Sequence, residues 1–154
     1  MIKGAIIIGY PCIGKSTVAR THRGFIDLES SYFSRRTDDW ATDYCKLALK
    51  LAEDGNVVFV SSHSDVVKTL KELRGSYPLI DIVIICPWEY LHDAWLERAE
   101  LRYEITKSDK DKRALNRIDT HYNSDINALE DSGFPVYHID EKRKLSDFIE
   151  DIFD

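Results

Sequence analysis

Glycine and proline are scarce, seven and four residues among 154, which excludes a collagen-like or low-complexity chain. Cysteine is scarcer: Cys12, Cys45 and Cys86 stand far apart, with no C-x-x-C pair and no histidine at zinc-ligand spacing. Reduced thiols are therefore expected, and neither a disulfide framework nor a structural metal. The five histidines, His22, His63, His92, His121 and His138, are scattered as well. No apolar run approaches the roughly 20 residues of a membrane-spanning helix; Ala5 to Ile8 and Ile82 to Cys86 are the longest. Met1-Ile2-Lys3 opens no signal-peptide pattern, so a cytoplasmic location without membrane contact is expected. Positive charge is not in excess either. With 27 acidic against 21 basic residues the formal charge is -6, which excludes the global positive field of a non-specific nucleic-acid binder and leaves a local basic groove open.

A hydrophobic share of 44% beside 31% charged residues fits one self-folding domain spanning residues 1–154. Strand and helix signals alternate along it. Ile2 to Ile8 is a β-branched run of the kind buried on both faces of a parallel sheet, and Gly9 ends it. A helix from Lys15 to about Thr21 leads to a second strand at Gly24 to Leu28. Between Asp38 and Asp54, Trp40, Tyr44, Leu47, Ala48 and Leu51 recur at helical spacing, and Gly55 stands at the C-cap. Strands at Asn56 to Val60 and Ile80 to Cys86 bracket a helix at Ser64 to Leu73. A helix over about Glu89 to Tyr103 follows, then a charged stretch, and then a helix with Leu115, Ile118, Tyr122, Ile126 and Leu129 on one face. Pro135 to Ile139 and the amphipathic Leu145 to Ile152 close the chain. The pattern predicts an α/β fold: a three-layer sandwich with a five-stranded, mainly parallel sheet.

Gly9-Tyr10-Pro11-Cys12-Ile13-Gly14-Lys15-Ser16 fits G-x-x-x-x-G-K-[ST], directly after a buried strand and opening a helix. The two glycines let the backbone curl so that successive N–H groups converge on phosphate oxygens. Lys15 then reaches the β- and γ-phosphates, and the Ser16 hydroxyl is placed to ligate Mg²⁺. Thr17 is counted with the loop, where it caps or packs. Cys12 also admits a regulatory thiol reading.

Asp27-Leu28-Glu29-Ser30-Ser31 ends the second strand, expected beside the first, where its carboxylates face the γ-phosphate position. Asp27 can hold Mg²⁺ or accept a proton from an attacking hydroxyl, and Glu29, two residues on, points the same way toward an acceptor. The alternative is a solvated turn with Ser30 or Ser31 as a cap. Arg35 and Arg36, with Trp40 and Tyr44, could hold an anionic, stackable acceptor; alternatively the arginines are solvated and the aromatics are core. Ser61-Ser62-His63 ends strand three, and Ser62 and His63 are acceptor-side candidates unless a serine there simply caps the next helix. No carboxylate stands at that strand end, which argues against a motor ATPase and shifts the metal to Asp27. Arg98 and Arg102, four apart on one helix face, precede the charged Thr106 to Arg113 loop and suggest a lid over residues 98 to 117. Surface pairing with Glu97, Glu100 or Glu104 is the alternative.

On these motifs the chain resembles the small P-loop kinases, the superfamily of adenylate, shikimate, gluconate and polynucleotide kinases. The phosphate loop matches fully, Asp27-Leu28-Glu29 is similar to the D-x-D element of shikimate- and gluconate-kinase-like proteins, and Arg98 and Arg102 are similar to lid arginines. Tyr10-Pro11, Ile26 to Ser31 and Val60 to His63 also resemble small nucleotide-kinase-like proteins of bacteria and their phages. No D-G-x-P-R segment follows strand three, and Glu29 to Trp40 leaves little space for a monophosphate-binding domain. The resemblance implies ATP and Mg²⁺ as cofactors, Lys15, Asp27, Arg98 and Arg102 as catalytic residues, and transfer to a nucleoside, nucleotide or similar small acceptor. A nucleic-acid kinase, drawing on Arg35, Arg36, Lys107, Lys110, Lys112 and Arg113, and a nucleotide-binding switch or weak ATPase remain open alternatives.

Overall fold

The computed structural model describes residues 4–30, 33 and 37–153. Five parallel strands form one sheet: β1 (Ala5–Gly9), β2 (Phe25–Asp27), β3 (Val57–Ser61), β4 (Asp81–Pro87) and β5 (Val136–Ile139), in the order β2-β3-β1-β4-β5. Among the described residues six α-helices flank them: α1 (Lys15–Thr21), α2 (Trp40–Glu53), α3 (Ser64–Leu73), α4 (His92–Thr106), α5 (Asp109–Glu130) and α6 (Leu145–Phe153). The arrangement is compatible with three layers, α1 touching α6 and α2 touching α3. Among the described residues no helix is long and apolar enough to cross a membrane.

The central strands are those whose sequences are continuously apolar. Ile6, Ile7, Ile8, Val58, Phe59, Ile84 and Ile85 are fully buried, as expected of strands covered on both faces. Ile8 pairs with Val60 on one side and Ile84 on the other, so the ends of β1 and β3 share one edge of the sheet. β2 is only three residues long and partly buried, in keeping with its place at the sheet margin.

Three expectations need correction. β2 does not lie beside β1: the chain leaving α1 skips one position, and β3 fills the gap, its Phe59 in register with both Ile7 and Asp27. The charged stretch from Thr106 to Arg113 is not a loop, because α4 runs to Thr106 and α5 begins at Asp109. Lys107 turns the chain in a left-handed conformation, and the Ser108 hydroxyl accepts from the Asp111 N–H at 3.1 Å, capping α5. At α3 the cap is none of the neighbouring serines but His63, whose Nδ1 accepts from the Asp65 N–H at 3.1 Å. The first strand begins at Ala5; residues 1–3 lie outside the described residues, as do Ser31, Arg35 and Arg36.

Tyr44 and Trp40 divide between the two readings open to them. Tyr44 is fully buried, and its hydroxyl donates to the Leu28 carbonyl at 2.6 Å while accepting from the Ser61 N–H at 3.0 Å. It thereby ties the end of β2 to the end of β3. Trp40 is partly buried and meets the His63 ring edge-on at 5.2 Å. Replacing Tyr44 with Phe strands two backbone groups, so Tyr44→Phe should lose about 1–3 kcal/mol. Urea denaturation should show a lower midpoint with an unchanged slope.

Candidate functional site

The segment from Gly9 to Ser16 leaves β1 and curls into α1. A Cβ on Gly9 would stand 2.6 Å from Lys15 Cδ and 2.9 Å from Ile13 Cδ1, so a larger residue there would displace the Lys15 side chain. Gly14 has φ 107°, which L side chains rarely adopt. The loop is held from outside by α4. Trp95 Nε1 donates to the Pro11 carbonyl at 3.0 Å and Arg98 Nη1 to the Cys12 carbonyl at 3.1 Å. In trans peptides the carbonyl and the following N–H point oppositely. With those two carbonyls drawn toward α4, the Cys12 and Ile13 N–H groups face the other way, and neither has a hydrogen-bond partner among the described residues.

The loop borders a cavity of about 710 Å³, walled also by the ends of β2 and β3, α3 and α5; Cys12 lines it and Ile13 does not. Lys15 Nζ donates to the Gly9 carbonyl at 2.7 Å. Burial lowers its pKa to about 8, against the pull of Asp27. Burial also raises the Asp27 carboxyl above the usual carboxylate range, with Lys15 and Lys110 opposing. Glu29 forms an ion pair with Lys110, joining the β2 end to the start of α5. Arg102 lies between two groups, Nη2 at 3.5 Å from Ser16 Oγ and Nε at 3.0 Å from Asp111 Oδ1. Asp111 is only 6% exposed. Burial pushes its carboxyl up, but the Thr106 hydroxyl and Arg102 outweigh that and hold it below the ordinary value.

The cavity gathers most of the residues singled out in the sequence: Gly9, Tyr10, Pro11, Cys12, Lys15, Ser16, Asp27, Glu29, Ser62, His63 and Arg102 all line it. Ile13 is buried in the core, Gly14 and Thr17 lie off the cavity, and Thr17 is exposed on α1. The two lid arginines part company. Arg98 does not line the cavity; it stacks over Trp95 at 4.2 Å and donates to the Cys12 and Glu141 carbonyls. Neither arginine pairs with Glu97, Glu100 or Glu104. Of the basic residues available to a nucleic-acid groove, Lys110 and Arg113 line the cavity and Lys107 and Lys112 do not. Asp111 escaped notice in the sequence, although Ser108-Asp109-Lys110-Asp111 carries the S-x-x-D spacing of a helix start.

All three cysteines are free and buried. Burial raises the Cys12 thiol, with Arg102 and Lys15 opposing, and pushes Cys45 and Cys86 up to about 12. A buried, protonated thiol is a poor redox sensor.

No protein-family model matches the chain, and no curated protein matches it. The chemistry must therefore be read from the site. Among the described residues no group of three or more His, Cys, Asp or Glu side chains is assembled. The hard oxygens of Ser16 and Asp27 nonetheless fit Mg²⁺, which takes one or two protein ligands and completes its shell with phosphate oxygens and water.

Because Asp111 anchors the α4–α5 turn, Asp111→Asn should destabilise the protein by about 1–3 kcal/mol at neutral pH. A depressed carboxyl pKa stabilises the fold above the unfolded value, near about 3.9, and that contribution is lost as pH falls through the folded value. The difference in unfolding free energy between wild type and Asp111→Asn should accordingly shrink below about pH 4.

Proposed function

We propose that the protein is a P-loop phosphotransferase that moves the γ-phosphoryl group of ATP to a small acceptor, a nucleoside, nucleotide or similar metabolite. The observation that carries this reading is the meeting of Lys15, Ser16 and Asp27 at one cavity that the loop residues Gly9 to Cys12 also line. The Cys12 N–H and Lys15 would supply donors for a polyphosphate, and Arg102, 3.5 Å from Ser16, adds a second cation at the same end. Ser16 and Asp27 would hold Mg²⁺, which would offset charge on the bridging phosphate oxygens.

Asp27 serves as the proton acceptor. One carboxylate oxygen of Asp27 is free to take the proton while the other would face the ion, whose charge opposes the effect of burial on this carboxyl. An acceptor hydroxyl oxygen forms a bond to the γ-phosphorus as its proton passes to Asp27 Oδ. The bond from that phosphorus to the β–γ bridging oxygen breaks, and its electron pair leaves with the diphosphate. Arg98 is a positioning residue, since it donates to the Cys12 carbonyl of the loop and does not line the cavity. The cavity continues past Asp27 toward α3 and α5, room that an acceptor needs and a nucleotide switch does not. A cytoplasmic setting suits both the ATP supply and three free thiols.

Calorimetry on a folded Lys15→Ala variant should show loss of Mg·ATP binding; unchanged affinity would overturn the loop assignment. In wild type that affinity should weaken as pH rises through about 8, because a lowered lysine pKa means the cation is lost there. Asp27→Asn should lower turnover by on the order of 10²–10⁴ with a smaller effect on ATP binding. Wild-type turnover in that variant would remove Asp27 from the chemistry.

A further inference from the structure

Asp111 is the only charged side chain buried among the described residues. The helix corner on which it sits does not by itself call for a charge there. The Ser108 hydroxyl already caps α5, and Thr106 could close the turn against a neutral side chain, whereas a carboxylate taken out of water is costly unless it is paired. Its two oxygens are divided between two partners: Oδ2 accepts from the Thr106 hydroxyl within the corner, and Oδ1 stands 3.0 Å from Arg102 Nε. Burial raises this carboxyl, but Thr106 and then Arg102 hold it below the ordinary value, so it keeps its charge at neutral pH.

The other end of the Arg102 guanidinium faces the loop. Its Nη2 lies 3.5 Å from Ser16 Oγ, and Arg102 lines the cavity together with Lys15, Ser16, Asp27 and Asp111. A guanidinium is planar and carries its N–H donors in fixed directions. A carboxylate beside Nε therefore also sets where the Nη edge points. The Arg102 side chain is 34% exposed, and a long side chain that is partly in water would otherwise spread over many rotamers. Among the described residues Asp111 is the carboxylate that pairs with it, and Glu104 on the same helix is turned instead to Lys107.

We propose that Asp111 is a positioning residue for phosphoryl transfer, holding Arg102 with its Nη edge turned toward the phosphate position beside Ser16. The role rests on the phosphotransferase reading. A cation fixed in advance meets the charge that develops on the transferring group without first having to be ordered. Asp111 itself touches neither nucleotide nor acceptor. Its negative charge offsets part of the Arg102 charge, which weakens the pull of that arginine on the ground state while fixing its direction. Loss of Asp111 is therefore felt in turnover more than in ATP affinity.

The test is a double-mutant cycle. Turnover is followed as ADP formed from Mg·ATP with nucleosides, nucleoside monophosphates and hexoses as acceptors, the fastest being kept for the variants, and Mg·ATP affinity is measured by calorimetry. Asp111→Asn should lower kcat on the order of ten- to a hundredfold and leave the Kd of Mg·ATP nearly unchanged. Added to Arg102→Ala, which should lower kcat by itself, Asp111→Asn should have no further effect, because a residue that acts through another loses its influence once that other is gone. Thr106→Val separates orientation from stability: it removes the Oδ2 partner from the same corner and should lower the unfolding midpoint while sparing kcat. Where Asp111→Asn does not fold, Asp111→Glu, which keeps the charge and moves the carboxylate by a methylene, should show the loss of kcat. Equal losses in the wild-type and Arg102→Ala backgrounds, a matching fall in Thr106→Val, or wild-type kcat in Asp111→Asn or Arg102→Ala would overturn this role and leave the phosphotransferase reading standing. No transfer to any of these acceptors by the wild-type protein would overturn that reading and this role with it.

Discussion

The site depends on where two carbonyl groups point. Trp95 and Arg98, one turn apart on α4, capture the Pro11 and Cys12 carbonyls, and peptide planarity then directs the next amides away from α4. The residues that impose this are remote in sequence from the loop they orient, yet without them the curl would be free to present oxygen where it now presents nitrogen. The left-handed conformation of Cys12, φ 67°, belongs to the same constraint. A non-glycine residue there is unfavourable, and the contacts from α4 help to fix it.

The sheet order sets the second constraint. With β3 between β1 and β2, Asp27 stands two strand spacings from the strand that feeds the loop, on the order of 10 Å. Lys15, at the start of α1, lies in the field of Asp27 across that gap. Tyr44 fixes the rim by joining Leu28 to Ser61, so the carboxylate-bearing end of β2 is not a loose margin although the strand is short.

The sequence was most legible where burial alone decides structure. β1, β3 and β4 are continuous apolar runs, and no other element suits such a run at that length. Lateral order was not legible, because burial says that a strand is covered and not which strand covers its edge; β2 was assigned the wrong neighbour for that reason. The turn from Gly9 to Ser16 between β1 and α1 is legible residue by residue, since its spacing is a local property of the backbone. Arg98 and Arg102 show the opposite case. Their four-residue spacing promised one role, but Arg98 meets loop carbonyls and Arg102 meets side chains, a distinction set by what lies across the interface. Charge density after Thr106 suggests a loop from the sequence, whereas the S-x-x-D spacing from Ser108 to Asp111 marks the start of α5.

Only Lys107 and Ser108 separate α4 from α5, and the Asp111 cluster fastens that corner. The two helices therefore behave mechanically as a bent lever more than as a flap on a flexible strap. One arm grips the loop through Trp95 and Arg98, and the other walls the cavity over its full length. Any shift at that corner would be felt by both arms, so the seating of the loop and the width of the gap between α3 and α5 are joined through one two-residue turn.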